Sequence, residues 1–179
     1  LDGGAGADAM AGGAGNDIYV VDNPGDSVIE LQAGGIDSVR AAVSYVLPEH
    51  VENLILTGGA RINGSGNTLA NRLIGNAAAN VLDGAAGADD MRGGAGDDSY
   101  IVDDAGDTLT EDANGGTDTV FSSVTCTLSA NVENLILTGS ADIAAIGNDA
   151  ANRLAGNAGN NWLDGGAGAD AMAGGAGND

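Results

Sequence analysis

Six aspartates, Asp8, Asp17, Asp89, Asp98, Asp170 and Asp179, each stand five residues after the first glycine of a run of the form Gly-Gly-x-Gly-x-Asp, with Ala85 in place of the second glycine in one run. The runs come in pairs nine residues apart. GGAGADAMA from Gly3 leads into GGAGNDIYV, GAAGADDMR from Gly84 into GGAGDDSYI, and GGAGADAMA from Gly165 into GGAGND. Glycine accepts positive φ and leaves no Cβ between a backbone carbonyl and an ion. Gly3, Gly4, Gly6, Gly12, Gly13, Gly15, Gly84, Gly87, Gly93, Gly94, Gly96, Gly165, Gly166, Gly168, Gly174, Gly175 and Gly177 are therefore candidate carbonyl ligands beside the six carboxylates. No histidine or cysteine accompanies them, so every ligand on offer is an oxygen. Many flexible oxygen ligands suit calcium better than the strict octahedron of magnesium, and several calcium ions are expected along the chain.

Strands must position those oxygens. Two residues after each of five aspartates stands an apolar or aromatic side chain, Met10, Tyr19, Met91, Tyr100 or Met172, which starts a short strand and points into a core. One nonapeptide is then half a coil. Two of them close an eighteen-residue turn of a solenoid whose coils stack at the strand spacing of ~4.8 Å. Residues eighteen apart share an edge and could share an ion: Asp26 follows Asp8 and Asp107 follows Asp89, while Asn152 and Asn161 precede Asp170 and Asp179, so that Asp26, Asp107, Asn152 and Asn161 are all candidate oxygen ligands. The nine-residue phase also runs back from Gly84 through GNAAANVLD and GNTLANRLI, with Asn80 and Asn71 in the aspartate slot. Asparagine brings a side-chain carbonyl and no charge, so Asn71 and Asn80 are candidate ligands whose turns are expected to be weak or ion-free. Asp37 and Asp118 come eleven residues after Asp26 and Asp107, break the phase, and are read as turn caps.

A longer repeat organises these pairs. Leu1, Leu82 and Leu163 each open an LDG segment, 81 residues apart, and 45 of the 81 aligned positions of 1–81 and 82–162 are identical. One continuous solenoid over 1–179 is expected, made of a unit 1–81, a unit 82–162 and the start of a third at 163–179. Residues 1–17 and 163–179 are identical, which reads as an excerpt from a longer array and invites head-to-tail association of copies. Between the aspartate runs lies a more apolar stretch. Val39, Ala41, Val43, Tyr45 and Leu47 alternate with more polar residues, as do Val120, Val124 and Leu128 in the second unit, which signals a strand. VENLILTG recurs unchanged at 51–58 and 132–139 and reads as a core strand whose Asn53 and Asn134 satisfy buried backbone groups. The density of glycine and aspartate argues against any helix. The fold class is all-β, a parallel β-roll or β-solenoid built from nonapeptide half-coils within an 81-residue tandem unit.

Composition narrows the function. The net charge is −21, from 26 acidic against 5 basic residues, and aromatic residues make up 3%. Such a chain has no electrostatic footprint for nucleic acid or an anionic membrane. Its apolar runs fall short of the ~20 residues needed to span a bilayer. The single cysteine, Cys126, aligns with Tyr45 and cannot form an internal disulfide. The single histidine, His50, aligns with Asn131, and neither a Ser-His-Asp set nor zinc spacing is present. Close carboxylates without an aromatic sugar platform argue against a glycosidase pair. No enzymatic activity is expected of this chain. Trp162, which aligns with Val81, reads as a strand residue facing outward, and Tyr19 and Tyr100 as core.

The paired nonapeptides resemble those of the RTX, or haemolysin-type, calcium-binding family. The resemblance implies a β-roll that orders on calcium outside the cell, after export by a type I secretion route. In that family such arrays accompany proteases, lipases, alginate epimerases and pore-forming toxins. The expected function is thus a calcium-binding structural module, secreted, extracellular or at the cell surface, that serves a large protein as folding and secretion scaffold. The alternative is a repetitive extracellular fibre, surface-layer or adhesin segment. A carbohydrate- or ice-binding module is a third reading, for which a flat ladder of threonine, asparagine or aromatic side chains is missing.

Overall fold

A computed structural model describes all residues, 1–179, as nineteen short strands with no helix, wound into a β-solenoid of about 9 turns. One face carries β2 (Ile18–Val21), β4 (Ser38–Ala41), β6 (Asn53–Leu56), β8 (Arg72–Ile74), β10 (Asp90–Arg92) and β12 (Thr108–Thr110) in one sheet, then β14 (Cys126–Thr127), β16 (Ala144–Ile146) and β18 (Trp162–Asp164) in another. The opposite face carries β1 (Ala9–Ala11) with β3 (Ser27–Ile29), then β5 (Tyr45–Val46), β7 (Gly64–Ser65), β9 (Val81–Asp83), β11 (Ser99–Val102), β13 (Thr119–Ser122), β15 (Asn134–Leu137), β17 (Arg153–Ala155) and β19 (Ala171–Ala173). Within each sheet a strand pairs in parallel with the strand two further along the chain, as the nonapeptide half-coils require.

Coil length explains the break in sequence phase. Nonapeptide coils advance eighteen residues, as in Ala9↔Ser27 and Asp90↔Thr108. The coil after β2 takes twenty, Ile18↔Ser38, the next takes fifteen, Ser38↔Asn53, and the one after that nineteen, Asn53↔Arg72. The same series recurs 81 residues later as Ser99↔Thr119, Thr119↔Asn134 and Asn134↔Arg153. Strands β10 to β18 repeat β1 to β9, and because nine is odd, equivalent strands of neighbouring units fall on opposite faces. The gap in the ladder between β3 and β5 therefore reappears on the other face between β12 and β14.

One column of inward side chains fills the space between the faces. Tyr19, Val39, Leu54, Leu73, Leu82, Met91, Tyr100, Val120, Leu135 and Leu154 are all buried, each large side chain worth about 1.5–3 kcal/mol relative to exposure. Met10 joins them, but Met172 is 54% exposed, since β19 pairs only with β17 and no further coil covers it. The run Val39 to Leu47 is two strands on opposite faces, β4 and β5, joined by a corner, and its inward alternation continues around that corner. Asn53 and Asn134 donate from Nδ2 to the carbonyls of Asp37 (3.0 Å) and Asp118 (3.1 Å), and Trp162 faces outward.

The glycines divide into two kinds, where one was expected. The second and fourth of each run take positive φ, such as Gly13 (89°) and Gly15 (122°). The first does not: it is needed because the aspartate of its own run folds back over it, so that a Cβ on Gly93 would meet the Asp98 carboxylate and the Tyr100 hydroxyl. Ala85 holds a second-glycine position at φ 60°, a left-handed conformation that costs an L-residue roughly 1–2 kcal/mol. His50 (φ 70°) and Asn131 (φ 66°) share such a position, which accounts for the lone histidine as a turn residue. Ala85→Gly should therefore stabilise the chain by about 1 kcal/mol, read as a higher denaturant midpoint in calcium. Gly116→Ala, which sets a Cβ against the Gly96 carbonyl, should lower that midpoint.

Candidate metal centre

Every strand is entered from a turn, and each edge of the roll carries a ladder of acids and amides. On the edge leading into the even-numbered strands the Asp17 N–H donates to Asp37 Oδ1 (2.7 Å) and the Asp37 N–H to Glu52 Oε2 (2.8 Å). Further along it Asn71 donates to Asp89 Oδ1 (2.7 Å) and Asp89 to Asp107 Oδ1 (3.0 Å). On the other edge the chain of donors runs Asn80 to Asp98 (2.7 Å), Asp98 to Asp118 (2.8 Å) and Asp118 to Glu133 (2.8 Å), and later Asn152 to Asp170 (2.9 Å). Asp8 with Asp26 (3.0 Å) and Asn161 with Asp179 (2.8 Å) complete the pairs eighteen apart. The structure brings all these pairs together. It also gives Asp17 and Asp98 a partner twenty residues on, where a count of eighteen finds only glycines.

The second carboxylate oxygens separate the rungs. Oδ2 of Asp8, Asp17, Asp37, Asp89, Asp98 and Asp118 is buried and has no hydrogen-bond partner. Oδ2 of Asp26 instead accepts from the Asp22 and Asn23 N–H groups (3.1 and 3.2 Å), and Oδ2 of Asp107 from those of Asp103 and Asp104 (3.2 Å each). Sequence spacing had assigned capping to Asp37 and Asp118; hydrogen bonding assigns it to Asp26 and Asp107. The Asp8 N–H, followed by the Asn23 and Asp22 N–H groups, holds the Asp26 carboxyl below the usual range despite desolvation. The four asparagines are satisfied without an ion. Asn71 donates from Nδ2 to the Val51 carbonyl (3.1 Å), Asn80 to Ile62 (2.6 Å), Asn152 to Val132 (3.1 Å) and Asn161 to Ile143 (3.2 Å). Each amide thus supplies, with its own NH₂, the positive end that a carboxylate would need from a cation.

Two clusters concentrate the unpaired charge. Asp17, Glu30 and Asp37 place carboxylate oxygens within 4.8 Å of one another, and so do Asp98, Glu111 and Asp118. Glu30 and Glu111 accept a hydrogen bond from the Tyr19 and Tyr100 hydroxyls, which rise from the core. No basic side chain reaches either cluster: the two ion pairs, Arg72 with Asp90 (3.3 Å) and Arg92 with Asp112 (2.7 Å), lie on the exposed surface. At ~4.8 Å and an effective dielectric near 20, one carboxylate pair costs roughly 3 kcal/mol and a mutually close trio about 10. Two trios therefore weigh against the whole of an ordinary domain's stability, about 5–15 kcal/mol. A divalent cation reverses the sign of that interaction.

Protons are the other relief. Burial, tempered by the Asn80 N–H and reinforced by Glu111 and Asp118, pushes the Asp98 carboxyl up to about 7. Burial likewise raises Asp118 and Asp89 to about 6. Of the groups in these clusters, which could hold a metal ion, the sequence reading named neither Glu30 nor Glu111 and took Asp37 and Asp118 for turn caps. A signal was present: between 30–39 and 111–120 only Glu, Gly, Gly, Asp and Val are shared. A carboxyl whose pKa in the fold exceeds its unfolded value of about 4 makes the ion-free fold lose stability as pH rises from about 4 through 7. In chelator, thermal midpoint and β signal should fall between pH 5 and pH 8; a rise over that interval contradicts the raised values.

Comparison with known proteins places these turns. The RTX calcium-binding nonapeptide repeat matches in four copies, over residues 1–19, 65–100 and 146–179. Among curated proteins the chain is similar to two endo-1,3-1,4-beta-glycanases of Rhizobium meliloti (strain 1021). EglC is 36% identical over 66 residues, which are 37% of this chain and 14% of the glycanase, and ExsH is 38% identical over 52 residues, 29% of this chain and 11% of the glycanase. The chain therefore spans only a small part of the curated relatives it matches, and no solved structure matches it. With the repeat model, the glycine turns and the parallel solenoid in agreement, this chain belongs to the RTX calcium-binding nonapeptide repeat family.

Proposed function

We propose that this chain is the calcium-dependent folding module of a larger exported protein, unfolded where calcium is scarce and wound into its roll outside the cell. The observation that carries the proposal is the set of six buried aspartate oxygens with no partner, in a chain of net charge −21. Ions supply the cross-links that a single cysteine cannot. The individual nonapeptide sites should bind calcium in the range of extracellular modules, ~10⁻⁴–10⁻³ M, so that filling is cooperative with folding and negligible at cytosolic calcium. Asp8, Asp17, Asp89 and Asp98 are the proposed repeat ligands with the glycine carbonyls of their runs, Asp170 and Asp179 continue the series, and the four asparagine rungs stay ion-free.

Similarity to small segments of two glycanases supports a place for the module beside a catalytic domain, as an accessory array and not as the catalyst. The regular 81-residue unit favours a second reading, a stiff spacer within a surface fibre or adhesin, in which the same ions set length and rigidity. Calcium titration by circular dichroism, with magnesium as control, tests the shared core of both. A cooperative gain of β signal with calcium alone is expected; a chain fully β-rich in chelator and indifferent to calcium contradicts it. Assembly of the calcium-loaded chain at high concentration, read by light scattering, would favour the fibre, and a strictly monomeric mass the folding module.

A further inference from the structure

Glu30 and Glu111 belong to a turn that no nonapeptide contains. Each follows directly on a strand, β3 or β12, and opens an eight-residue segment of the form Glu-x-x-x-Gly-Gly-x-Asp, ELQAGGID at 30–37 and EDANGGTD at 111–118. Both segments lie outside the residues that match the family repeat. Their Gly-Gly pairs settle onto the preceding nonapeptide turn: the Gly15 N–H donates to the Gly34 carbonyl (2.8 Å), the Gly96 N–H to that of Gly115 (2.7 Å), and a Cβ on Gly34 would stand 2.7 Å from the Gly13 carbonyl. This close approach seats each glutamate between two turns, 8% and 6% exposed. The second oxygen of each glutamate is held by backbone, Glu30 Oε2 by the Leu31 N–H (3.1 Å) and Glu111 Oε2 by the Gly94 and Asp112 N–H groups (3.2 Å each). Both glutamates, Asp37, Asp98 and Asp118 are thus anchored by backbone N–H groups, and the free Oδ2 atoms of Asp17, Asp37, Asp98 and Asp118 are buried beside the glutamates.

Building on the calcium-binding function proposed above, we infer that each of these turns, together with Asp17 or Asp98 of the nonapeptide one coil earlier, forms a distinct class of calcium site, a three-carboxylate cage floored by a tyrosine hydroxyl, which fills before the nonapeptide turns of Asp8 and Asp89. A third charged oxygen and ligands already anchored by backbone raise affinity for a hard cation over a pair of aspartates. The position also gives the ion a structural task. β3 and β12 have no ladder partner on their downstream side. The cage ties the turn that leaves each of them to the turn one coil earlier. Because neighbouring units swap faces, one cage sits on each edge of the roll.

Tyrosine makes the two cages separately visible. The chain has three tyrosines and one tryptophan, so Tyr45→Phe with Trp162→Phe leaves Tyr19 and Tyr100 as the sensitisers of bound terbium. In that background, terbium emission excited through tyrosine should rise in the earliest phase of a titration and level off at two ions, one for each cage. Adding Glu30→Gln with Glu111→Gln should abolish that phase and reduce the calcium count by two, while the remaining ions and the calcium-induced β signal are kept. Glu variants that bind as many ions with an unchanged first phase overturn the inference alone; an original chain that binds no calcium overturns the proposed function first. Should the Glu variants fail to fold, Tyr19→Phe with Tyr100→Phe in the Trp162→Phe chain retains every carboxylate and leaves Tyr45, outside both cages, as the one sensitiser. It should keep the ion count and lose the early emission, and early emission that persists is equally decisive against the cages.

Discussion

Repulsion among carboxylates held one coil apart governs this molecule. Asp37, Asp89, Asp98 and Asp118 each use one oxygen to accept a backbone N–H from the adjacent coil, which fixes the carboxylate in place and leaves its other oxygen buried without a partner. The glycines follow from that arrangement, because only a residue without Cβ lets an aspartate fold back over the start of its own turn. Short strands follow as well. The core is a narrow column, flanked along its edges by six unpartnered carboxylate oxygens.

Asparagine rungs show the same constraint solved with protein atoms. At Asn71, Asn80, Asn152 and Asn161 the amide donates to a carbonyl of the preceding coil and needs nothing further. The roll therefore alternates coils whose rungs are satisfied by protein atoms with coils that carry unpartnered carboxylate oxygens. In each unit the self-sufficient rungs cluster next to VENLILTG, where the core is most apolar, and the ion-requiring ones next to the nonapeptide pairs.

Much of this was legible in the sequence because the nonapeptide has one period for both its chemistry and its strand. The pairing of Asp8 with Asp26, Asp89 with Asp107, and Asn152 and Asn161 with Asp170 and Asp179 follows from counting eighteen. Counting fails where the coil is twenty residues long, since Asp37 and Asp118 then look out of phase although they stack on Asp17 and Asp98. Hydrogen-bond saturation is equally invisible in spacing. Asp26 and Asp107 fit the eighteen-residue rule, yet both of their oxygens are satisfied, Oδ1 by the coil before and Oδ2 by their own turn. Glu30 and Glu111 were overlooked because they belong to no nonapeptide; only the persistence of Glu-x-x-x-Gly-Gly-x-Asp through an otherwise divergent segment marks them. The exchange of faces between units follows from nine strands per 81 residues, which becomes countable once the irregular coils are seen to hold two strands each.

The central claim is that cations, and not protons or water, satisfy the bare aspartate oxygens. Calcium anomalous scattering from crystals of the calcium-loaded chain tests it most directly. Anomalous peaks at about 2.3–2.6 Å from Oδ2 of Asp98 and Asp118, and from their counterparts Asp17 and Asp37, are the predicted result. A folded roll in which those oxygens are hydrogen-bonded to water or to one another, with no anomalous peak beside them, would contradict it.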